Sequence, residues 1–390
     1  MNKRIGIEFL STIRISDNIA VYTGGANYAK QVLVEMATSK RLKNTKIVVY
    51  LPEGFQAAGE DNALFSMSKI ECRYAKSLLE CDLNDLDIFF LPQVNGQTLR
   101  QIPKIKGKYK NIKIYATLHD RQRNISRYDP IDRFYNKGIK RTLLYGFVLF
   151  WMKRIYFDLF YAKWISSVDK VFTVSNCSLQ KLSNKSIEYI KCFYQTVQIP
   201  VNMNPHEEDF ALFVSGNRPE KNLLRTLCAF EKFKQGHPDS KLEFKISGIT
   251  ESRLRELLKS YGVKLTYSVD SVMAIGYVSN AELSDLYDSC KYVVFTSKAE
   301  GFGLPIAEAI VHEKLVLASY QTSIPEVVGA LGRYVDAYDV DSITRGFSDM
   351  ENFEYRSTYQ EFVKEKKKIV ISQMNIEKEL FINEFLMEAE

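Results

Sequence analysis

Only six cysteines occur in the 390 residues, at 72, 81, 177, 192, 228 and 290, and no two form a C-x-x-C pair. That scatter offers neither a zinc-binding spacing nor a disulfide framework, and it fits a reducing compartment. Histidine is also scarce, with four residues at 119, 206, 237 and 312. Long apolar runs are missing. The unbroken run at 143–152 is ten residues, whereas a membrane span needs about 20. Lys153, Arg154 and Asp158 interrupt the chain just beyond it, which argues against a transmembrane helix. The opening residues, MNKRIGIEFLS, are too few and too polar at Glu8 for a signal peptide. Neither an internal repeat nor a low-complexity tract is visible, and Gly and Pro are few.

The remaining composition is that of a soluble globular protein, 46% hydrophobic and 26% charged, with 23 Tyr and 24 Phe. Its length suits two domains of ordinary size. Charge is unevenly placed. Residues 1–190 hold 30 Lys and Arg against 17 Asp and Glu, and residues 191–390 hold 23 against 30. A basic first half suggests an anionic partner, either nucleic acid or an anionic membrane, though it is equally compatible with a plain soluble surface.

The most informative stretch runs from Tyr292 to Leu317. Tyr292–Phe295 is apolar and β-branched or aromatic, the pattern of a buried strand. Gly301 and Gly303 then predict a tight turn. Pro305 suits the first position of the next helix. A strand, a glycine turn and a helix N-terminus form an anion site, because free amides and the helix dipole point at the turn. Glu300 lies in that turn and Glu308 about one helical turn inside the helix. Carboxylates repel phosphate but accept sugar hydroxyls, so the combination suits a nucleoside diphosphate sugar.

Glu300-Gly-Phe-Gly-Leu-Pro-Ile-Ala-Glu308 resembles the Glu-x7-Glu motif of retaining glycosyltransferase family 4, which has the GT-B fold. The resemblance implies that Glu300 contacts the donor sugar and Glu308 the ribose. Gly301, Phe302, Gly303 and Leu304 would line the donor, the Gly303-Leu304 backbone meeting the diphosphate. It also implies that no metal or other cofactor is needed, and that the departing phosphate helps to deprotonate the acceptor.

Other stretches are consistent with that resemblance. A strand is expected from Arg4 to Leu10, followed by a polar loop and then a helix opening at Gly24-Gly25. The Gly-Gly pair resembles a loop that lines the family's cleft. Strands at Lys46–Leu51 and Asp87–Leu91, with helices between, predict a doubly wound parallel sheet. Lys113–Leu118 is a further strand, ending on His119-Asp120. Ligands of open α/β sheets bind beyond the carboxyl ends of strands. The resemblance places His119 against the donor sugar or the acceptor. Asp169–Ser175 resembles the segment that closes the family's first domain, and the stretch after Val197–Pro200, with Asn202, Asn204, Pro205 and acidic residues, reads as a linker.

The second domain opens on Ala211-Leu-Phe-Val and then Ser215-Gly-Asn-Arg218-Pro-Glu-Lys221. Two cations at one turn can neutralise a diphosphate. The stretch resembles the family's Gly-Arg-x-x-x-x-Lys segment, with fewer residues between Arg218 and Lys221. Strands are expected at Phe244–Gly248 and around Ala274–Val278, where the resemblance places the backbone of Gly276 and Val278 near the base. Glu313 stands where the family usually has glycine. The triplets Asp85-Leu-Asp87 and Asp339-Val-Asp341 read as a strand start and a helix cap, not as metal ligands. Arg121, Arg123, Arg127 and Arg133 make a basic loop. Beyond it, Leu143–Trp164 is expected to be a long helix whose aromatic face, including Phe147, Phe150, Trp151, Phe157 and Phe160, is either core or lies on a membrane.

These features predict an α/β protein of GT-B class, with two Rossmann-like doubly wound domains facing a cleft. Residues 1–200 would bind the acceptor and 201–356 the nucleotide sugar, and a helical segment at 357–390 would cross back to the first domain. The expected activity is retaining sugar transfer in surface polysaccharide or glycoconjugate synthesis. The donor would carry UDP ahead of GDP or dTDP, and the acceptor would be a glycan or a lipid-linked glycan. The expected location is cytoplasmic, on the inner face of the membrane. Three rivals are weaker. A non-catalytic glycan-binding or chaperone subunit could dispense with Glu300, Glu308, Arg218, Lys221 and His119, all of which are present. A nucleotide-sugar epimerase would have no use for the basic, aromatic first half. A nucleic-acid binder would need a recognisable module of stacking aromatics among its cations.

Overall fold

Apolar β-rich runs that end in a glycine or polar turn and continue as helices set the architecture. The computed structural model describes residues 3–16, 19–22, 25–57, 59–119, 127–136, 143–182, 189–195, 197–200 and 206–386. The chain divides into two units. One comprises residues 1–121, 155–196 and 374–390, and the other comprises 122–154 and 197–373.

The strands of the first unit are β1 (Arg4–Glu8), β2 (Ile13–Ser16), β3 (Ile19–Tyr22), β4 (Lys46–Pro52), β5 (Ile70–Ala75), β6 (Ile88–Leu91), β7 (Lys113–Leu118), β8 (Lys170–Thr173) and β9 (Ile190–Cys192). β2 and β3 pair as a hairpin where the sequence suggests a polar loop. The others form one parallel sheet in the order β5-β4-β1-β6-β7-β8-β9. The helices are α1 (Ala26–Thr38), α2 (Glu60–Phe65), α3 (Gly96–Lys108), α4 (Leu143–Ile165) and α5 (Asn176–Leu182), and α4 contributes residues to both units. Each face of the sheet is covered. Ile5, Ile7, Phe90 and Phe172 belong to one buried cluster, and Phe89, Ile114 and Val171 to another. Burial on both faces explains why these strands are apolar almost throughout. Strand order reverses between β1 and β6, the position where doubly wound sheets bind ligands.

The second unit runs β10 (Phe210–Phe213), α6 (Leu223–Gly236), β11 (Glu243–Ser247), α7 (Glu251–Tyr261), β12 (Val272–Gly276), α8 (Asn280–Ser289), β13 (Tyr292–Phe295), α9 (Leu304–Val311), β14 (Val316–Ser319), α10 (Ile324–Val328), β15 (Gly332–Val335), α11 (Val340–Glu351) and α12 (Phe353–Glu384). Its parallel sheet has the order β12-β11-β10-β13-β14-β15, so its reversal falls between β10 and β13. The end of α12 returns to the first unit. There Phe381 and Phe385 pack on Phe90 and Phe172, and Glu384 accepts from Lys191 at 2.8 Å.

Both Asp-x-Asp triplets have structural work. Asp85 pairs with Arg73 and Arg4, and Asp87 accepts from the Arg4 amide before β6 begins. Asp339 caps α11 by accepting from the Asp341 amide at 2.8 Å.

Candidate active site

The turns after β10 and β13 are neighbours at the reversal of the second sheet. After β10, Gly216 donates to the Ser247 carbonyl, and a short 3-10 turn at Pro219–Lys221 aims Lys221 inward. Asn222 then takes a left-handed conformation, with φ of 69°. Its side-chain amide donates to the carbonyls of Thr296 and Ala337, tying this turn to the end of β13.

After β13 the chain passes Thr296, Ser297 and Lys298 to Glu300. Lys221 Nζ lies 2.6 Å from Glu300 Oε1, and their side chains are only 4% and 12% exposed. The Lys221 ammonium also sits 4.6 Å from the centroid of Phe295. Two residues fix the turn from outside it. Thr322 Oγ1 accepts from the Glu300 amide at 2.9 Å, and Ser323 donates to the carbonyls of Glu300 and Phe302. Gly303 has φ of 106°, a conformation side chains avoid, and an added Cβ would lie 3.1 Å from Ile306. Leu304 and Pro305 open α9, so the Gly303 and Leu304 amides find no acceptor among the described residues.

Glu308 stands on the second turn of α9. Its Oε2 accepts from the Tyr287 hydroxyl at 2.7 Å. Burial raises its carboxyl above the usual range, and the Tyr287 bond and the Lys221 charge oppose that shift. Gly276, at φ of 76°, is tied to the turn after β11, and Val278 follows half-buried. Lys221, Glu300, the Gly301–Leu304 turn and Glu308 thus share one edge of one sheet. Arg218 does not join the Lys221–Glu300 pair. Its guanidinium turns to Glu220, with Nε 2.6 Å from Oε1. Arg218 stands just before the 3-10 turn with extended backbone, φ −117° and ψ 128°, whereas Lys221 closes that turn.

In the first unit, His119 follows β7. Its Nε2 lies 2.8 Å from the Pro92 carbonyl, and Nδ1 faces the Gln195 amide. The carbonyl can only accept, so Nε2 carries the proton and Nδ1 accepts. Burial lowers the imidazole to about 4, so it is neutral near pH 7. Tyr28 packs edge-on against it at 4.5 Å. Gly25 caps α1, where a Cβ would come within 1.9 Å of the Gln93 side chain. Gly24 lies outside the described residues. At the end of β1, burial pushes the Glu8 carboxyl up to about 7.

Residues 195–369 match the family model of the group 1 glycosyl transferases. That stretch contains Arg218, Lys221, Gly276, Glu300, Gly303 and Glu308. The serotype-specific mannosyltransferase WbdA of Escherichia coli is 28% identical over 183 residues, 45% of this chain and 21% of that protein. The O-antigen chain mannosyltransferase B of Escherichia coli is 30% identical over 142 residues, 35% of each chain. The chain thus spans between about a fifth and a third of these two relatives. Among solved structures, Anabaena Alr3699/HepE in complex with UDP and glucose superimposes with a TM-score of 0.63 at 14% identity, covering 99% of this chain and 100% of that one. The fold is GT-B, with two Rossmann-like parallel-sheet domains and a helical C-terminus.

Several residues of the site escape the sequence reading. Tyr287, Thr322 and Ser323 act from outside the motif. Lys298, only 4% exposed, pairs with Asp129 at 2.7 Å and with Asp132. Arg225 also holds Asp129, through a two-pronged contact with both carboxylate oxygens. The segment around Asp129 therefore packs beside the turn that carries Glu300. Glu313 itself adopts φ of 58° where the family usually has glycine. Lys367 and Gln360 of α12 hold it there, bonding its carboxylate and its carbonyl.

Proposed function

We propose that the protein is a retaining glycosyltransferase that moves a sugar from a nucleoside diphosphate donor to a glycan or lipid-linked acceptor during polysaccharide synthesis. The observation that carries this reading is the buried Lys221–Glu300 pair beside the open amides of Gly303 and Leu304. A diphosphate at those amides gives Lys221 an anionic partner and frees Glu300 to accept donor hydroxyls. Arg218 adds charge from the same turn once it leaves Glu220. As the bond from C1 to the phosphate oxygen breaks, negative charge grows on the leaving group, where the cation and amides are already placed. The acceptor oxygen bonds C1 on the same face, and its proton passes to the departing phosphate. No metal takes part in this scheme.

His119, held neutral, acts in this reading as a contact surface for sugar or acceptor. Mannose, named for two of the relatives, is the first sugar to test, and UDP is the first nucleoside diphosphate, ahead of GDP and dTDP.

The lipid-linked acceptor has support from α4. Phe147, Val148, Trp151, Met152, Ile155 and Leu159 are exposed along it, Met152 at 62% and Leu159 at 69%. Phe147 and Phe150 both pack on Tyr128, Phe150 being the less exposed, and the side chains of Phe157 and Phe160 lie outside the described residues. No described helix is long and apolar enough to cross a membrane. In this reading the enzyme lies peripherally on the cytoplasmic face of a membrane, docked through the exposed apolar side chains of α4. A thermal-shift screen of UDP-, GDP- and dTDP-sugars, mannosyl and glucosyl forms included, tests the donor assignment. A single stabilising donor, with transfer severely reduced in Glu300→Ala, is the expected result. Stabilisation by none of them contradicts it.

A further inference from the structure

Glu308 is the visible end of a buried polar chain. Helix α8 starts on a reciprocal cap between Ser279 and Glu282, which fixes its register and brings Tyr287 to its last turns. The Tyr287 side chain is 1% exposed, and its hydroxyl lies 2.7 Å from Glu308 Oε2 and 3.3 Å from the Pro305 carbonyl. Behind it, the His312 ring stacks on Tyr287 with centroids 5.3 Å apart and planes 22° apart. His312 Nδ1 in turn lies 2.6 Å from Asp288 Oδ1. Both are buried.

The direction of the Tyr287 bond follows from chemistry. A carboxylate only accepts, so the phenol donates. Glu308 Oε2 is thereby committed, while Oε1 has no partner among the described residues. We propose that Tyr287 is the positioning residue that locks the Glu308 carboxylate, so that Oε1 faces the paired hydroxyls of a ribose. The stacked His312 and its Asp288 partner keep the phenol from rotating away. This rests on the nucleotide reading of the site. It adds that recognition of the ribose, as distinct from the phosphates, depends on a residue that never touches the ligand.

The test compares UDP and GDP with their 2′,3′-dideoxy forms by calorimetry, in wild type, Tyr287→Phe and Glu308→Ala. In wild type the ribonucleotide binds more tightly. Tyr287→Phe keeps the ring and its stacking, and is expected to reduce that preference about tenfold, the worth of a hydrogen bond to a charged group. The loss falls on the ribonucleotide alone, and unchanged dideoxy binding shows that the site is folded. Glu308→Ala is expected to abolish the preference. If Glu308→Ala abolishes it while Tyr287→Phe retains the wild-type ratio, the positioning role is overturned and the ribose reading stands. If Glu308→Ala retains the ratio, or wild type binds neither nucleotide, the ribose reading fails and takes this inference with it.

Discussion

Arg225 and Asp129 are joined by two hydrogen bonds, from Nη1 to Oδ2 at 2.5 Å and from Nη2 to Oδ1 at 2.9 Å, although 96 residues separate them in the chain. Lys298 adds a third contact, to Oδ2. Asp129 is 3% exposed, so this is a buried carboxylate shared by two cations. Burial acts to raise its pKa, but the two cations hold it down to about 2. The cluster stands two residues from Glu300, and it ties the 129–135 segment to the second sheet.

Asp129→Asn is therefore expected to destabilise the second unit by about 3 kcal/mol, because it leaves the buried Arg225 without its counter-charge and Lys298 with Asp132 alone. The depressed carboxyl also gives stability that is present above pH 3.8 and lost as pH falls toward 2. Urea unfolding of wild type and variant near pH 7 reads the difference. A change under about 1 kcal/mol would mean that the cluster is a solvated surface pair.

Acid should weaken the first unit through His119. Its imidazole is lowered from 6.5 to about 4 by burial, so the unfolded chain binds a proton that the folded one resists. The contribution is intact above pH 6.5 and declines between 6.5 and 4. Glu8 works in the opposite sense, since its raised carboxyl favours the fold as pH drops from about 7. The comparison is consequently between wild type and His119→Asn. The gap in melting temperature between them should narrow from pH 7.5 to pH 5, and a constant gap would count against a buried neutral imidazole.

Helix α4 supplies a surface prediction. Residues 121–164 contain ten Lys and Arg and three Asp and Glu, and two of those acids, Asp129 and Asp132, pair with Lys298. Basic residues near an anionic surface contribute about 1 kcal/mol each, and partly inserted apolar side chains add to that. Sedimentation with phosphatidylglycerol vesicles should show binding that weakens with salt and falls further in Trp151→Glu/Leu159→Glu. Absence of binding at low salt would favour a water-soluble glycan acceptor.

Much of the architecture is legible in local signals. Val293, Val294 and Phe295 are apolar because both faces of the strand are buried, and Gly303 and Pro305 mark the turn and helix start at short range. The strand ending at His119 and the cap at Asp339 are legible for the same reason. The hairpin Ile13–Tyr22 passes for a polar loop in the sequence, although I-R-I-S and I-A-V-Y flank a two-residue turn signal, Asp17-Asn18. Tertiary relationships leave no such mark. Nothing near Asp129 in the sequence points to Arg225 or Lys298, and nothing near Glu308 points to Tyr287. The two cations of the Ser215–Lys221 turn look equivalent in sequence. Only the short 3-10 turn reveals that Lys221 faces Glu300 while Arg218 faces Glu220.

The central claim is that the paired turns after β10 and β13 bind a diphosphate. Its most direct measurement is calorimetric titration of UDP, GDP and dTDP, and of the corresponding bare nucleosides, into wild type and Lys221→Ala. Loss of a charge-assisted contact should weaken the bound nucleoside diphosphate about tenfold or more and leave the nucleoside nearly unchanged. Equal losses for both ligands, or no diphosphate bound by the wild type, would contradict the assignment.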